Sequence, residues 1–481
     1  MSATDLVQRL GGPGPRPSGP PPFLIVRVEQ DRTREAAYRA LRRKAFVQEQ
    51  GLFEGDDGDE HDGAAHTVVL VAVAADGELL GGVRLHAEGD DPGLGWWRGS
   101  RLVCGSAAGA ARGRIARALV ASACVTAVDA GALRFDAHVQ ERHVAFFERL
   151  GWHRVPPLDG DGQGEGYLPA AHALMRWPVD RFETLVASTK AALGPLLAEL
   201  VDSGEGWHGD DGVPVPGAAG LIAATDAILP AMVDRDPEWA GWCGMLVTVH
   251  DLSAMGAQPV GALDTLGAAD AAHAQRVVRG LRAGSQAFGL PVLGGHTTLG
   301  VSGSLGVTGL GHTKRPVPAG GGACGDVLTL TADLQGAWRP GYRARQWDST
   351  SWRSRAELSA MLGAVARAQP RAAKDVSMAG AVGSAGMLAE ASGCGVEIDV
   401  AAVPRPEGIG AGDWLTCFPG FAMLTADHPD APPLQAGPAV GAAIGALTSQ
   451  PGVRLRWPDG ALTTALAGAV TGLGGASGAT A

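Results

Sequence analysis

From about Phe23 to Trp177 the pattern of apolar and polar positions mixes strands with helices. "TVVLVAVA" (67–74) followed by "DGELLGGVRLHA" predicts a hairpin closed by an Asp-Gly turn. "RGRIARALVASACVTAVDAG" (112–131) has the longer period of a helix and stops at Gly131. "LRFDAHV" (133–139) predicts a strand, "RHVAFFERLG" (142–151) a short helix and "HALMRWP" (172–178) a last strand. After Pro178, "VDRFETLVASTKAALGPLLAEL" predicts a helix that opens a second unit.

That second unit divides in two. Its first half reads as apolar strands at "GLIAATDAI" and "GMLVTVHD", a helix near 269–287, and then "LPVLGG". Its second half opens with "GDVLTLTADL" (325–334), passes a polar, Trp-rich stretch and resumes its helices and strands from about 356. Strands alternating with helices predict an α/β (α+β) architecture throughout. The expected bounds are a disordered leader over 1–22, a first domain over 23–178, two halves over 179–322 and 323–470, and a flexible tail over 471–481.

Composition narrows the function. A net charge of −11 with no Lys/Arg-rich run gives nucleic acid or an anionic membrane little to attract. No apolar run approaches the ~18 residues of a membrane span, and the first 22 residues lack the apolar centre of a signal peptide. Cys104, Cys124, Cys243, Cys324, Cys394 and Cys417 are scattered without a CxxC pair, which argues against zinc and a disulfide framework and fits a reducing cytoplasm.

The candidate chemistry lies in a series of acids at the ends of apolar stretches. "GDDGV" holds Asp210 and Asp211, "ATDAI" Asp226, "VHDLSAMGA" Asp251 and "AKDVSMAG" Asp375. Carboxylates delivered from several element ends suit Mg²⁺, a hard cation that takes a few carboxylates together with phosphate oxygens. "GGHTT" adds Gly294, Gly295, His296 and Thr297, whose backbone would approach a polyphosphate, unless the stretch is an ordinary tight turn. Asp251 reads either as a helix N-cap at a strand-to-helix junction or as a metal ligand. Lysines number only four, so Lys314 and Lys374 are either phosphate contacts or surface charge. The acidic loop "EGDDGDEHDG" (54–63) reads as a solvated charge run or a site for a cation, and Glu49 and His143 as structural residues or general bases.

In chain order "HGDDGV", "AATDAILP", "VHDLSAMGAQP", "GGHT", "VTGLG", "GDVLTLT" and "KDVSMAG" resemble the motifs of the AIR synthase superfamily over roughly residues 180 to 430. That group includes aminoimidazole ribonucleotide synthetase, thiamine-monophosphate kinase and selenophosphate synthetase. The resemblance implies two α/β halves, dimerisation through the first, and Mg·ATP held near Asp210, Asp211, Asp226, Asp251 and Asp375, with Gly294, Gly295, His296, Thr297 and Lys314 lining the same region. Asp226 and Asp251 would serve at the reacting phosphates. His296 and Met378 stand where the thiamine-monophosphate kinase pattern has acids, which implies a different second substrate.

Over about 23 to 178, "AFVQEQGLF", "ARGRIARALV", "HVAFFERLGW" and "HALMRWP" resemble a GNAT N-acyltransferase domain. The resemblance implies acetyl-CoA pyrophosphate at a helix start formed by Arg112, Gly113, Arg114 and Ala116, while Phe147 replaces the tyrosine that many members use as an acid. The fusion implies an ATP- and Mg²⁺-dependent enzyme acting on a nitrogenous small molecule, with an acyl-CoA-dependent N-acyltransferase or a non-catalytic binding protein as the alternatives.

Overall fold

In the computed structural model, residues 23–156, 171–200, 207 and 209–474 are described. The expected leader and the end of the expected tail lie outside them. The chain separates into two compact units, one running through Arg181 and the other built from Phe182–Ile409 and Asp413 onward.

The first unit contains β1 (Phe23–Arg27), β2 (Thr67–Ala74), β3 (Leu79–Ala87), β4 (Trp96–Cys104), β5 (Arg134–Gln140), β6 (His153–Arg154) and β7 (His172–Trp177). They form one sheet in the order β1-β2-β3-β4-β5-β7-β6. The β2–β3 hairpin closes at Gly77, whose φ of 91° is the left-handed conformation such turns need. Of its helices, α1 spans Arg32–Arg42 and α2 spans Arg112–Asp129, the latter ending before Gly131 at φ 85°. Ile115, Leu119 and Cys124 of α2 are buried with Leu85, Phe135 and Met175 of the sheet in one core. Strands β4 and β5 run parallel, and their pairing ends at Gly99 and Ala137 although both strands continue. The two strands therefore part toward their C-terminal ends.

The second unit carries three sheets. β8 (Val213–Pro214), β9 (Leu221–Ile228), β10 (Gln258–Ala268), β11 (Val292–Leu299) and β12 (Ser304–His312) form the first, ordered β11-β10-β12-β9-β8. A larger sheet, ordered β16-β19-β13-β20-β17-β21-β22, uses β13 (Val327–Ala332), β16 (Ala372–Asp375), β17 (Gly395–Asp399), β19 (Ala422–Asp427), β20 (Val440–Thr448), β21 (Val453–Arg456) and β22 (Leu462–Leu466). The short β14 (Ala337–Trp338), β15 (Gln346–Asp348) and β18 (Phe418–Pro419) make a third.

Between the two main sheets lies α3 (Pro237–Ala254), followed along the chain by α4 (Ala271–Phe288) and later α5 (Gly380–Ala391). Met245, Leu246, Val249 and Leu252 of α3 share one core with Ile222, Leu305 and Val307 of the first sheet and with Ala373, Phe421 and Met423 of the second. This corrects the strand expected at "GMLVTVHD". Its β-branched residues suggested a strand, yet the run belongs to an 18-residue helix opened by Pro237 at its first turn. Being buried on nearly every face, that helix has no polar stripe to reveal its period.

Candidate functional site: a cluster of acids with two lysines

Four separate elements deliver the acids. Asp210 and Asp211 follow Gly209 in the turn before β8, Asp226 lies on β9, Asp251 in the last turn of α3, and Asp375 at the end of β16. Carboxylate oxygens of Asp211, Asp251 and Asp375 all lie within 4.8 Å of one another. Asp226 shares a hydrogen bond with Asp251. The N-cap expectation for Asp251 is thereby corrected, because the helix begins at Pro237 and the acid stands at its opposite end. A helix C-terminus is partly negative, so the carboxylate there gains no help from the dipole and favours a nearby cation.

Each acid has a distinct environment. Asp210 accepts the backbone N–H of Ala319, while its other oxygen is buried with no partner among the described residues. Burial, and then the neighbouring Asp211, raise its pKa to about 6 against the pull of Ala319 and Lys374. Asp211 is anchored more fully, taking the Asp375 N–H at 2.9 Å and an ion pair from Lys374. Burial drives Asp251 well above the usual carboxylate range, reinforced by Asp226, Asp375 and Asp211. Asp375 rises to about 8, through burial first and the Asp211 charge second. Without a cation the cluster therefore holds protons, since close carboxylates in a low-dielectric setting cannot all ionise.

Two lysines answer this charge. Lys374, read from sequence as either a phosphate contact or surface charge, is buried, and its ammonium contacts Asp211 and the Gly209 carbonyl, the latter at 3.2 Å. Burial opposes its charge, yet Asp211 and Asp375 hold its pKa above the ordinary lysine value. Lys190, just beyond the helix Arg181–Thr189, lies close enough to favour ionisation of Asp226 and Asp375. Sequence reasoning missed Lys190, whose one available signal was the rarity of lysine in this chain.

The glycine stretch is placed elsewhere. Gly294, Gly295, His296 and Thr297 do not form a tight turn but lie on β11, an exposed edge strand that, among the described residues, pairs with β10 alone. Strands β10 and β12 stand between β11 and β9, a lateral separation of roughly 14 Å from Asp226 at ordinary strand spacing. Gly295 has a local reason to be glycine, because an added Cβ would meet the Asp264 carboxylate at 2.4 Å. Lys314 and Met378 are exposed.

In the first unit, the acidic loop is solvated in part: Glu54, Asp56 and Glu60 are exposed, whereas Asp57, Asp59 and Asp62 are tied down by arginines. Arg42 pairs with Asp57 at 2.8 Å and Asp62 at 2.6 Å, and Arg101 pairs with Asp59 at 3.0 Å, with Arg42 and Asp57 fully buried. A second polar group joins His86 to Glu88 at 2.8 Å and Glu88 to Arg98 at 3.2 Å, with His61 stacked on His86 at 3.7 Å between ring centroids. Arg112, Gly113 and Arg114 are exposed in the first turn of α2, where no side chain caps the helix, and Ala116 is half-buried one turn on. Phe147 is buried against Phe146 and Trp152, so it is a core residue. Glu49 and His143 are exposed.

Residues 209–313 match the family described as AIR synthase related protein, N-terminal domain, and residues 349–431 match its C-terminal domain. An uncharacterized protein of Synechocystis sp. is 35% identical over 237 residues, which cover 48% of this chain and 73% of that protein. A thiamine-monophosphate kinase from Methanospirillum hungatei is 29% identical over 171 residues, 34% of this chain and 58% of its own length. The structure of phosphoribosylformylglycinamidine synthase II from Thermotoga maritima superimposes with a TM-score of 0.50 at 14% identity, covering 61% of this chain and 53% of the other, a likeness of fold. Through its second unit, the chain belongs to the AIR synthase-related family.

Proposed function

We propose that the second unit binds Mg·ATP at the acid cluster and transfers the γ-phosphoryl group to an oxygen of a small nitrogenous molecule. The observation that carries this reading is the meeting of Asp211, Asp251 and Asp375 within 4.8 Å. An all-oxygen donor set suits a hard divalent cation. The unpartnered Asp210 oxygen and the proton forced onto Asp375 are the costs such a cation would relieve. Asp211, Asp251 and Asp375 would hold the ion, with Asp226 beside Asp251. Lys374 holds Asp211 in place through their ion pair, and Lys190 adds positive charge beside Asp226. Bound there, Mg²⁺ supplies charge neutralisation for the transferring phosphoryl group. The acids act as ligands rather than bases. The kinase among the relatives supports phosphoryl transfer as the reaction class.

Titration calorimetry of the full chain with a non-hydrolysable ATP analogue and Mg²⁺ tests this. Saturable binding that weakens at least tenfold in Asp375→Asn is expected. Equal binding by both proteins overturns the site.

The proposed partner is a second copy of the chain, packed on the β8–β12 sheet. Leu263, Leu293 and Leu299 are 44%, 58% and 52% exposed there, and β11 leaves an unpaired edge. Gly294, Gly295, His296 and Thr297 would lie within that interface.

A second reading concerns the first unit. The parting of β4 from β5, with the start of α2, which no side chain caps, carrying Arg112 and Arg114, supports binding of an anionic cofactor such as acetyl-CoA. Acyl transfer there would proceed by alignment of amine and thioester, since Phe147 donates no proton.

A further inference from the structure

The second unit contains a pair of thiols that nothing in the proposed reaction uses. Cys324 and Cys394 are 70 residues apart in sequence, yet their sulfurs lie 3.3 Å apart. Both backbones are held firmly. Ala323 N–H donates to the Asp326 carboxylate at 2.9 Å, Asp326 N–H to Ala323 O at 3.0 Å, and Gly325 N–H to Leu447 O at 2.9 Å. On the other side, Cys394 N–H donates to Ala389 O at 2.8 Å, closing the end of α5. Ser392 already joins the two segments, accepting from Gly322 N–H and donating to Ala319 O, each at 3.2 Å. The sulfurs therefore lie 3.3 Å apart between two segments that are already tied together, about 1.3 Å beyond the length of an S–S bond.

We propose that Cys324 and Cys394 are a dithiol modification site that low-molecular-weight disulfides convert to an intramolecular disulfide. Cys324 is the exposed sulfur, and Cys394 is half-buried. Burial and the adjacent Cys324 push the Cys394 thiol up to about 11, so Cys324 meets the oxidant first. Its thiolate attacks one sulfur of RS–SR, the S–S bond breaks, and RS⁻ leaves and takes a proton from solvent. Cys394 then loses its proton and attacks Cys324 Sγ, breaking the mixed disulfide and releasing the second RSH. The two protein thiols are oxidised and one RS–SR is reduced to two RSH. The product would fasten the segment that carries Ala319, whose N–H holds Asp210, to the helix that follows Asp375.

Treating the full-length protein with oxidised glutathione and mapping its peptides by mass spectrometry tests the site. The wild type is expected to yield a cross-linked 324–394 peptide pair about 2 Da lighter than the two thiol peptides. Cys394→Ser should instead retain glutathione on Cys324, showing that the exposed thiol reacts and that Cys394 resolves it. A wild-type protein that keeps glutathione on Cys324, or leaves both thiols free while Cys394→Ser is modified, would overturn the proposal.

Discussion

Asp251 concentrates the conflict on which the site rests. It is flanked by Asp211, Asp226 and Asp375 and sits at the negative end of α3, so in the absence of a cation it carries a proton toward Asp226. An asparagine amide can make the same hydrogen bond. Asp251→Asn should therefore melt no lower than the wild type while losing the response to Mg²⁺; a protein that unfolds on substitution would contradict this. Protonation predicts a pH dependence as well. Asp210 and Asp375 titrate near 6 and 8 in the folded chain, above the ordinary carboxylate value of about 4. The folded state thus binds more protons than the unfolded state. The stability these groups contribute is complete below about pH 4 and is lost as pH rises through 6 to 8. Mg²⁺ held as proposed would replace the proton on Asp375, so melting curves recorded from pH 5 to 9 should separate progressively with and without the ion. Parallel curves would count against metal binding. His250, next in the chain, is a contrasting case. Both ring nitrogens are buried without a partner, and burial lowers its pKa to about 3, leaving a neutral ring packed near Phe421. Replacing it with leucine should change stability by less than about 1 kcal/mol, because no hydrogen bond is lost; a denaturant titration would expose a larger loss.

At the scale of elements, α3 and α4 set the frame in which the acids meet. They cross closely through two glycines: a Cβ at Gly280 would meet Glu238 O at 1.9 Å, and one at Gly241 would meet Val277 O at 2.2 Å. Gly280→Ala should cost about 1–3 kcal/mol by forcing the helices apart, measured by urea unfolding, and should weaken Mg²⁺ binding by displacing Asp251. Much at this scale was legible in the chain. The β2–β3 hairpin, α2 ending at Gly131, and the strand carrying Asp226 all follow from periodicity and turn residues. Helix α3 was not, because a helix apolar on all sides loses its period, and the β-branched Val247, Thr248 and Val249 point to a strand. The edge strand at "GGHTT" was also hidden, since its glycines carry the composition of a turn. Contacts made over long separations left no local trace. Lys374 with Asp211, Cys324 with Cys394, and Arg42 with Asp57 and Asp62 are products of the tertiary fold. The pairing of Asp57, Asp59 and Asp62 in the otherwise exposed loop at 54–63 was hidden because their arginines lie on other elements.

At the scale of the whole molecule, the second unit carries both the family match and the acid cluster. Among the described residues, no helix is long and apolar enough to cross a membrane. If a second copy covers the β8–β12 sheet, sedimentation should report a dimer that Leu293→Asp converts to monomer, whereas a wild-type monomer at micromolar concentration would contradict that partner. The most direct test of the central claim is a thermal-shift comparison of the purified chain in buffer, Mg²⁺ alone, Mg·ATP and acetyl-CoA. A ligand that binds only the folded state raises the melting temperature by mass action. The account predicts a rise with Mg·ATP, larger than with Mg²⁺ alone, that Asp226→Asn abolishes. No rise with Mg·ATP, or one that survives Asp226→Asn, would contradict it.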